Sequence, residues 1–362
     1  MTRDSTRPPR SERPSSSLLL VPRRTISAPP PDAAIAIGAK NAVETCLGIR
    51  PKETVVIVTH RGEVAPIGAA LLEAATNAGA TVEAFVVGAN EAADPRFVSM
   101  LVAHVANADA SILVSAMEGG LPTDLRRRLV EVGTTQRRHG HMIGITAAMM
   151  SQAMRADYAE IERVSAWLAK KLTPTAKVHA TTTSGTDLEL TMEPSANVVV
   201  ASGVLHGPGW TNLPGGEVYG VPAGVDGTLV PDGGIWLPEG TELPLAFRTR
   251  IVFERGEVVR LEGASEPCAR LEAALQASNG GRRVGQVGFG TNTGVVAPIG
   301  ALLQDLKLPG FHLSLGHTCP EVTNATWDSD VEIPLLTRRA TVTIDGVPVL
   351  SAGKFPSEAR EG

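Results

Sequence analysis

The sequence predicts an α/β N-terminal domain with a parallel sheet, followed by a β-rich α+β C-terminal domain. Three observations predict it. Apolar β-branched runs alternate with helically spaced segments between residues 33 and 172. Past Thr173 the texture changes to hairpins and Gly/Pro-rich connections. A chain of 362 residues is also too long for one ordinary core. The expected division is a disordered tail over 1–32, an α/β domain over 33–173, and a C-terminal domain over 174–356 that carries the chemistry.

The tail is rich in Arg, Ser and Pro (RPPRSERPSSS, then APPPD) and buries too little apolar surface to offset the entropy of ordering. Ala34 to Leu47 has helical spacing and ends at Gly48. Thr54 to Thr59 (TVVIVT) is a continuous apolar run suited to a strand buried on both faces. Val64 to Ala78 reads as a helix closed by Gly79, and Thr81 to Val87 as the second strand. A helix over Pro95 to Asn107, a strand over Ser111 to Ser115, an Arg-rich helix over Pro122 to Gln136 and a strand over Met142 to Thr146 complete a βαβα order, which gives a parallel sheet. The glycine fingerprints of nucleotide sites are missing: Thr59 is followed by HRGEVAPIG. Asp157 to Leu172 is an amphipathic helix with Ile161, Val164, Trp167 and Leu168 on one stripe, ended by Thr-Pro-Thr.

In the second half, Lys177 to Thr183 and Leu188 to Met192 form one expected hairpin, Phe247 to Phe253 and Val258 to Leu261 another, and Thr341 to Val349 a third that turns at Asp345-Gly346. Glu266 to Ala277 reads as a helix and Val284 to Phe289 as a strand. Gly203 to Gly240 reads as a long Gly/Pro-rich loop, and such loops are usually functional.

Composition excludes several classes. Hydrophobic content of 43% with 20% charge is that of a globular protein, and a net charge of -5 with 4% aromatics gives no platform for nucleic acid or anionic membranes. No stretch is long and apolar enough to span a bilayer. Cys46, Cys268 and Cys319 are an odd number at unrelated spacings, which fits a reducing compartment and a cytoplasmic protein. A small molecule is the expected partner.

The chemistry-bearing side chains gather in Asn212 to Pro222 (NLPGGEVYGVP) and Val284 to Asp330: Glu217, His312, His317, Cys319, Asp328 and Asp330. Two glycines before Glu217 let the backbone bring its carboxylate against another segment; a turn-capping surface carboxylate is the alternative. In Phe311-His312-Leu313-Ser314-Leu315 the period of two puts His312 and Ser314 on the face away from the apolar side chains. Carboxylates and a histidine from separate loops suit a hard or borderline divalent ion. His139 and His141, just before a strand, are candidates for substrate recognition at an interdomain cleft, with a solvated basic turn as the alternative. His206, ahead of the Glu217 loop, is a candidate pocket residue.

The order NLPGGEVY, GQVGFGTN, FHLSLG, TWD and a final VTIDGVPVLSAG hairpin resembles the M29 (thermophilic aminopeptidase) metallopeptidase family and its relatives, the 2,5-dihydroxypyridine 5,6-dioxygenases, from about Ala33 to Gly353. The resemblance implies an M29 aminopeptidase-like fold, a C-terminal metal site and a homodimer. It implies that Glu217, His312 and Asp328 are metal ligands and catalytic residues. Three positions depart from the peptidase pattern: Gln286 stands for a glutamate, Thr326 for a histidine and Cys319 for a tyrosine. An amide and a hydroxyl bind divalent ions poorly, so an intact two-metal site is not expected. Glu217, His312 and Asp328 then hold one ion, with His317 as a fourth ligand and His206, Gln286, Thr326 and Cys319 facing substrate. The leading expectation is a hydrolase of an amide or related bond using zinc, cobalt or manganese. The alternatives are a mononuclear iron(II) ring-cleaving dioxygenase, a metal-free acid/base enzyme, and a binding protein that has lost the ancestral metal site.

Overall fold

The computed structural model describes residues 26, 32–134, 136–238, 240–243 and 249–361. The expected disordered tail falls almost wholly outside them, as do Phe247 and Arg248 of one expected hairpin strand. In chain order the strands are β1 Thr54–His60, β2 Thr81–Val87, β3 Ala110–Ser115, β4 Arg138–Ile143, β5 Lys177–Thr181, β6 Asp187–Met192, β7 Val199–Ala201, β8 Gly209–Asn212, β9 Glu217–Gly220 and β10 Pro222–Leu229. They continue as β11 Gly234–Trp236, β12 Glu242–Leu243, β13 Arg250–Glu254, β14 Glu257–Glu262, β15 Val284–Gly290, β16 Gly310–Gly316, β17 Glu332–Leu336, β18 Thr341–Ile344 and β19 Val347–Leu350.

The first sheet has the order β2-β1-β3-β4-β8 and is parallel throughout. Its strands are apolar on both sides because helices cover both. Ile57, Ile112 and Val114 pack under Ala65–Asn77 on one face, and Val56, Val58 and Leu113 under Pro95–Asn107 and Thr123–Thr134 on the other. The fifth strand, β8, comes from beyond Thr173, so the first sheet is completed by the second half of the chain.

Two antiparallel seven-stranded sheets make the rest, ordered β14-β13-β10-β6-β5-β18-β19 and β12-β11-β17-β16-β15-β9-β7. Between them lies one core: Leu188, Leu190, Val225, Ile251 and Val342 from one sheet meet Val218, Val287, Phe289, Phe311, Leu313 and Leu335 from the other. Phe289 and Phe311 stack edge to face at 5.6 Å across the β15–β16 pair. Among the described residues no helix is long and apolar enough to cross a membrane.

Two expectations are corrected. Gly203 to Gly240 is not a loop: it carries β8 to β11, whose short segments are tied by sheet pairing and bury Val218, Val225, Leu229 and Ile235. The fourth strand of the parallel sheet is Arg138–Ile143, beginning four residues earlier than the apolar run suggested. Register explains it, since β3 pairs Ser111 with His139 and Leu113 with His141. His139 and His141 therefore lie inside the sheet and not at a cleft. The His139 ring is 1% exposed, with Nδ1 2.7 Å from Ser111 Oγ, and its Cβ-less neighbour Gly133 lets the covering helix approach. His141 stands 5.8 Å from it and 6.0 Å from Trp210, ring to ring.

Burial first, and His141 second, hold the His139 pKa down at about 3. A base with a depressed folded pKa binds protons preferentially when unfolded, so its stabilising neutral form is fully effective above about 6.5 and is lost as pH falls toward 3. Urea unfolding at pH 6.5 and pH 4.5 is expected to show a loss of about 2–3 kcal/mol attributable to His139, which His139→Gln flattens.

A candidate active site on the polar face of a sheet

Strand alternation builds the site. In register, β9, β15, β16 and β17 place Glu217 and Tyr219, Gln286 and Gly288, His312 and Ser314, and Glu332 on one face. The intervening residues, Val218, Val287, Phe289, Leu313, Ile333 and Leu335, point into the core. One surface is thus fixed by packing, and the other is free to carry charge.

Glu217 is brought in by Gly215 and Gly216. A Cβ on Gly215 would stand 2.3 Å from Gly203 Cα, and Gly216, at φ +115°, lies against Asn292. Asn292 is fully buried and ties three segments: its side-chain amide donates to Gly215 O at 2.9 Å and to Ala153 O at 3.2 Å, and its backbone N–H donates to Lys307 O at 3.0 Å. These bonds account for the GTN motif as a support for the carboxylate loop.

The Glu217 carboxylate is 8% exposed, and both its oxygens are engaged. Oε2 takes the ammonium of Lys307, itself 3% exposed, and Oε1 lies 2.9 Å from His312 Nε2. Burial alone would raise the Glu217 pKa, but the Lys307 charge and the His312 hydrogen bond outweigh it and hold the group at about 2. An ionised carboxylate only accepts, so His312 carries its proton on Nε2 and presents Nδ1 as the basic nitrogen. Gly288 makes the pairing fit: a Cβ there would fall 2.0 Å from His312 Nε2.

A second group lies on the loop after β16. His317 Nδ1 is 2.9 Å from Asp328, whose carboxylate also accepts from Thr318 N at 2.8 Å. Backbone and His317 contacts hold Asp328 below the usual carboxylate range against the upward push of its partial burial. Asp328 therefore accepts from Nδ1–H and leaves His317 Nε2 for another partner. The Arg283 guanidinium lies 4.0 Å from the Trp327 ring and steadies this loop. Gln286 Nε2 donates to His317 O at 2.9 Å and reaches Cys319 Sγ at 3.5 Å. Donor atoms of His317, Cys319 and Glu321 lie within 4.8 Å of one another.

The two groups share electrostatics. Burial, then the carboxylates of Glu332, Glu321, Glu217 and Asp328, pushes the Cys319 thiol up to about 12. Burial and the nearby acids likewise keep the Tyr219 phenol protonated. Glu332 stands between them. Part of its surface is open to solvent, yet protein packs around the carboxyl and desolvation raises its pKa, while His317, Lys307 and His312 pull it down and Glu217 pushes it up. Lys307, Glu332, Glu321 and Tyr219 were not singled out in the sequence. Glu332 is the polar position of an alternating Val331-Glu332-Ile333, a legible signal; Lys307 in LKLPG has none.

Of the expected ligands, then, Glu217 and His312 meet in one buried cluster, while Asp328 pairs with His317 in a more exposed one. Thr326 and Asp330 are exposed. His206 pairs with Glu162 instead, beside a cavity of about 510 Å3 lined by Arg50, Asp109 and Arg138. That cavity is larger than the recess of about 10 Å3 beside His312, but Arg138 is spent there on Glu53, Leu47 O and Gly48 O and serves the fold.

These arrangements decide where a divalent ion fits. The Glu217 carboxylate has no free oxygen while Lys307 is in place, and an ammonium beside a dication is repulsive, so an ion does not fit there. His317, Cys319 and Glu321 offer imidazole, thiol and carboxylate within reach of one centre, with Asp328 orienting the imidazole from behind, and they fit one borderline ion.

The family model described as NicX: 2,5-dihydroxypyridine 5,6-dioxygenase matches residues 37–296, well over half of the chain. No curated protein matches significantly. Among solved structures, the 2,5-dihydroxypyridine dioxygenase of Pseudomonas putida KT2440 is similar at a TM-score of 0.64 and 18% identity, over 90% of this chain and 98% of that one. Wild-type AmpT of Thermus thermophilus is similar at a TM-score of 0.61 and 17% identity, over 89% and 98%. The fold is M29 aminopeptidase-like, as expected, and the chain belongs to the NicX family.

Gly288→Ala is expected to displace the His312 ring and lower stability by about 1–3 kcal/mol in urea unfolding. The histidine resonance that reports the Nε2–H tautomer should shift in the same variant.

Proposed function

We propose that this NicX-family chain is a metal-dependent enzyme acting on a small molecule, with one ion held by His317, Cys319 and Glu321, and that it opens a hydroxylated aromatic ring with dioxygen. The saturated Glu217 carboxylate carries this reading. With Lys307 on one oxygen and His312 on the other, it has nothing to give a second ion, and two-ion hydrolysis of an amide requires one. Gln286, an amide where the M29 peptidases are expected to have glutamate, supports the same conclusion.

When bound, the ion supplies Lewis acidity and, as iron(II), open positions for substrate and dioxygen. The chain's own groups do the rest. His312 Nδ1 is the ring nitrogen left to accept a proton from a ring hydroxyl, because the Glu217 carboxylate holds the imidazole in the tautomer with its proton on Nε2. The Tyr219 phenol, kept protonated, offers a hydrogen bond to substrate oxygen from the same face. Gln286 fixes the His317–Cys319 turn from its neighbouring strand.

A second reading, hydrolysis of an amide in a small molecule with zinc, cobalt or manganese, is supported by the same Glu217–His312 pair, since a carboxylate-oriented imidazole is also a general base for water. Oxygen consumption separates the two. After anaerobic loading with iron(II), 2,5-dihydroxypyridine is expected to drive oxygen uptake, and His317→Ala to lower bound iron by about tenfold or more. Turnover of aminoacyl anilides with zinc, cobalt or manganese, and no oxygen uptake, would replace the first reading with the second.

A further inference from the structure

The cation at Glu217 is part of the framework and not a swinging surface lysine. Lys307 follows the short helical turn Leu302–Asp305, donates its backbone N–H to Gln304 O at 2.8 Å, and accepts from Asn292 N–H at 3.0 Å. Asp305 anchors the segment ahead of it by accepting from the N–H groups of Ile299, Gly300 and Ala301 at 2.9, 3.0 and 3.1 Å. On its other side the chain passes so close to β15 that a Cβ on Gly290 would stand 2.0 Å from Leu308 O. The ammonium is thus delivered to Glu217 Oε2 from a backbone held at three points, inside a region where Lys307, Glu217 and His312 are all under 9% exposed.

We propose that Lys307 is an internal substitute for a metal ion: its ammonium fills the cation position at the Glu217–His312 pair and confines this chain to a single divalent ion. An ammonium gives the carboxylate one positive charge and three N–H donors without needing ligands of its own. A dication there would face the ammonium at close range with only one carboxylate between them, and burial makes that repulsion costly. Removing the ammonium frees Glu217 Oε2 and leaves a buried carboxylate beside an imidazole, which is a partial metal site. The exclusion at Glu217 stands on this geometry alone; the count of one ion rests on the proposed centre at His317.

Cobalt(II) titration of the full-length protein, read by visible absorption and by native mass spectrometry, tests it. Wild type is expected to take one Co2+ with a thiolate-to-cobalt band from Cys319, and Glu217→Gln to change that affinity by less than about tenfold. Lys307→Ala is expected to gain a second Co2+, bound about tenfold or more tighter than any further ion in wild type, without adding thiolate absorption. The double variant Lys307→Ala/Glu217→Gln should lose that gain, and Lys307→Arg should not acquire it. A folded Lys307→Ala chain with no added ion overturns the proposal. So does a tenfold weakening of wild-type cobalt binding by Glu217→Gln, and that comparison decides the question unaided should Lys307→Ala not fold. A wild type that binds no cobalt while Lys307→Ala binds one would sink the His317 centre and leave the substitution at Glu217 standing.

Discussion

A carboxylate sealed from water must be given a countercharge and hydrogen-bond donors, and the burial of Glu217 imposes that demand on much of the second half of this protein. Lys307 supplies the charge and His312 the donor. Their placement in turn dictates residues that touch no charge at all. Gly288 is bare because the imidazole occupies the volume of its side chain, Gly290 because the Lys307 segment crosses there, and Gly216 because Asn292 pins the loop. Asn292 then binds the Glu217 loop, the Lys307 segment and the Ala153 turn into one unit.

The same burial sets the chemistry of neighbouring groups. Because Glu217 and Asp328 are both held ionised, each forces its histidine partner to donate, and so chooses which ring nitrogen of His312 and of His317 is basic. The acids crowded around Cys319 work in the opposite sense and keep its thiol protonated unless something more positive than a proton is bound there. One sheet face therefore holds a self-neutralised cluster and, a few residues away, a group with charge to spare. The solved structures similar to this chain share its architecture, and an architecture by itself does not choose a reaction; the local chemistry of the sheet face does.

Much of this was legible in the sequence because it follows from period and from glycine. The alternation of Phe311 to Leu315 gave the buried and polar faces of β16, the Asp345-Gly346 turn marked the last hairpin, and TVVIVT marked a strand covered on both sides. What escaped has physical reasons. Strands β8 to β11 are short and broken by Gly and Pro, and are held by neighbours distant in sequence, so no local window shows them. β4 begins with Arg138 and two histidines whose burial depends on Ser111 and a covering helix. Lys307 looks like any turn lysine until the fold sets it against a glutamate ninety positions earlier.

Within a few residues, the backbone leaves the parallel sheet at Asn212 and enters the sheet that carries the site at Glu217, with Leu213 wholly buried between them and Asn292 gripping Gly215. Any shift of one sheet against the other therefore pulls directly on the acid at the joint, and through it on Lys307 and His312.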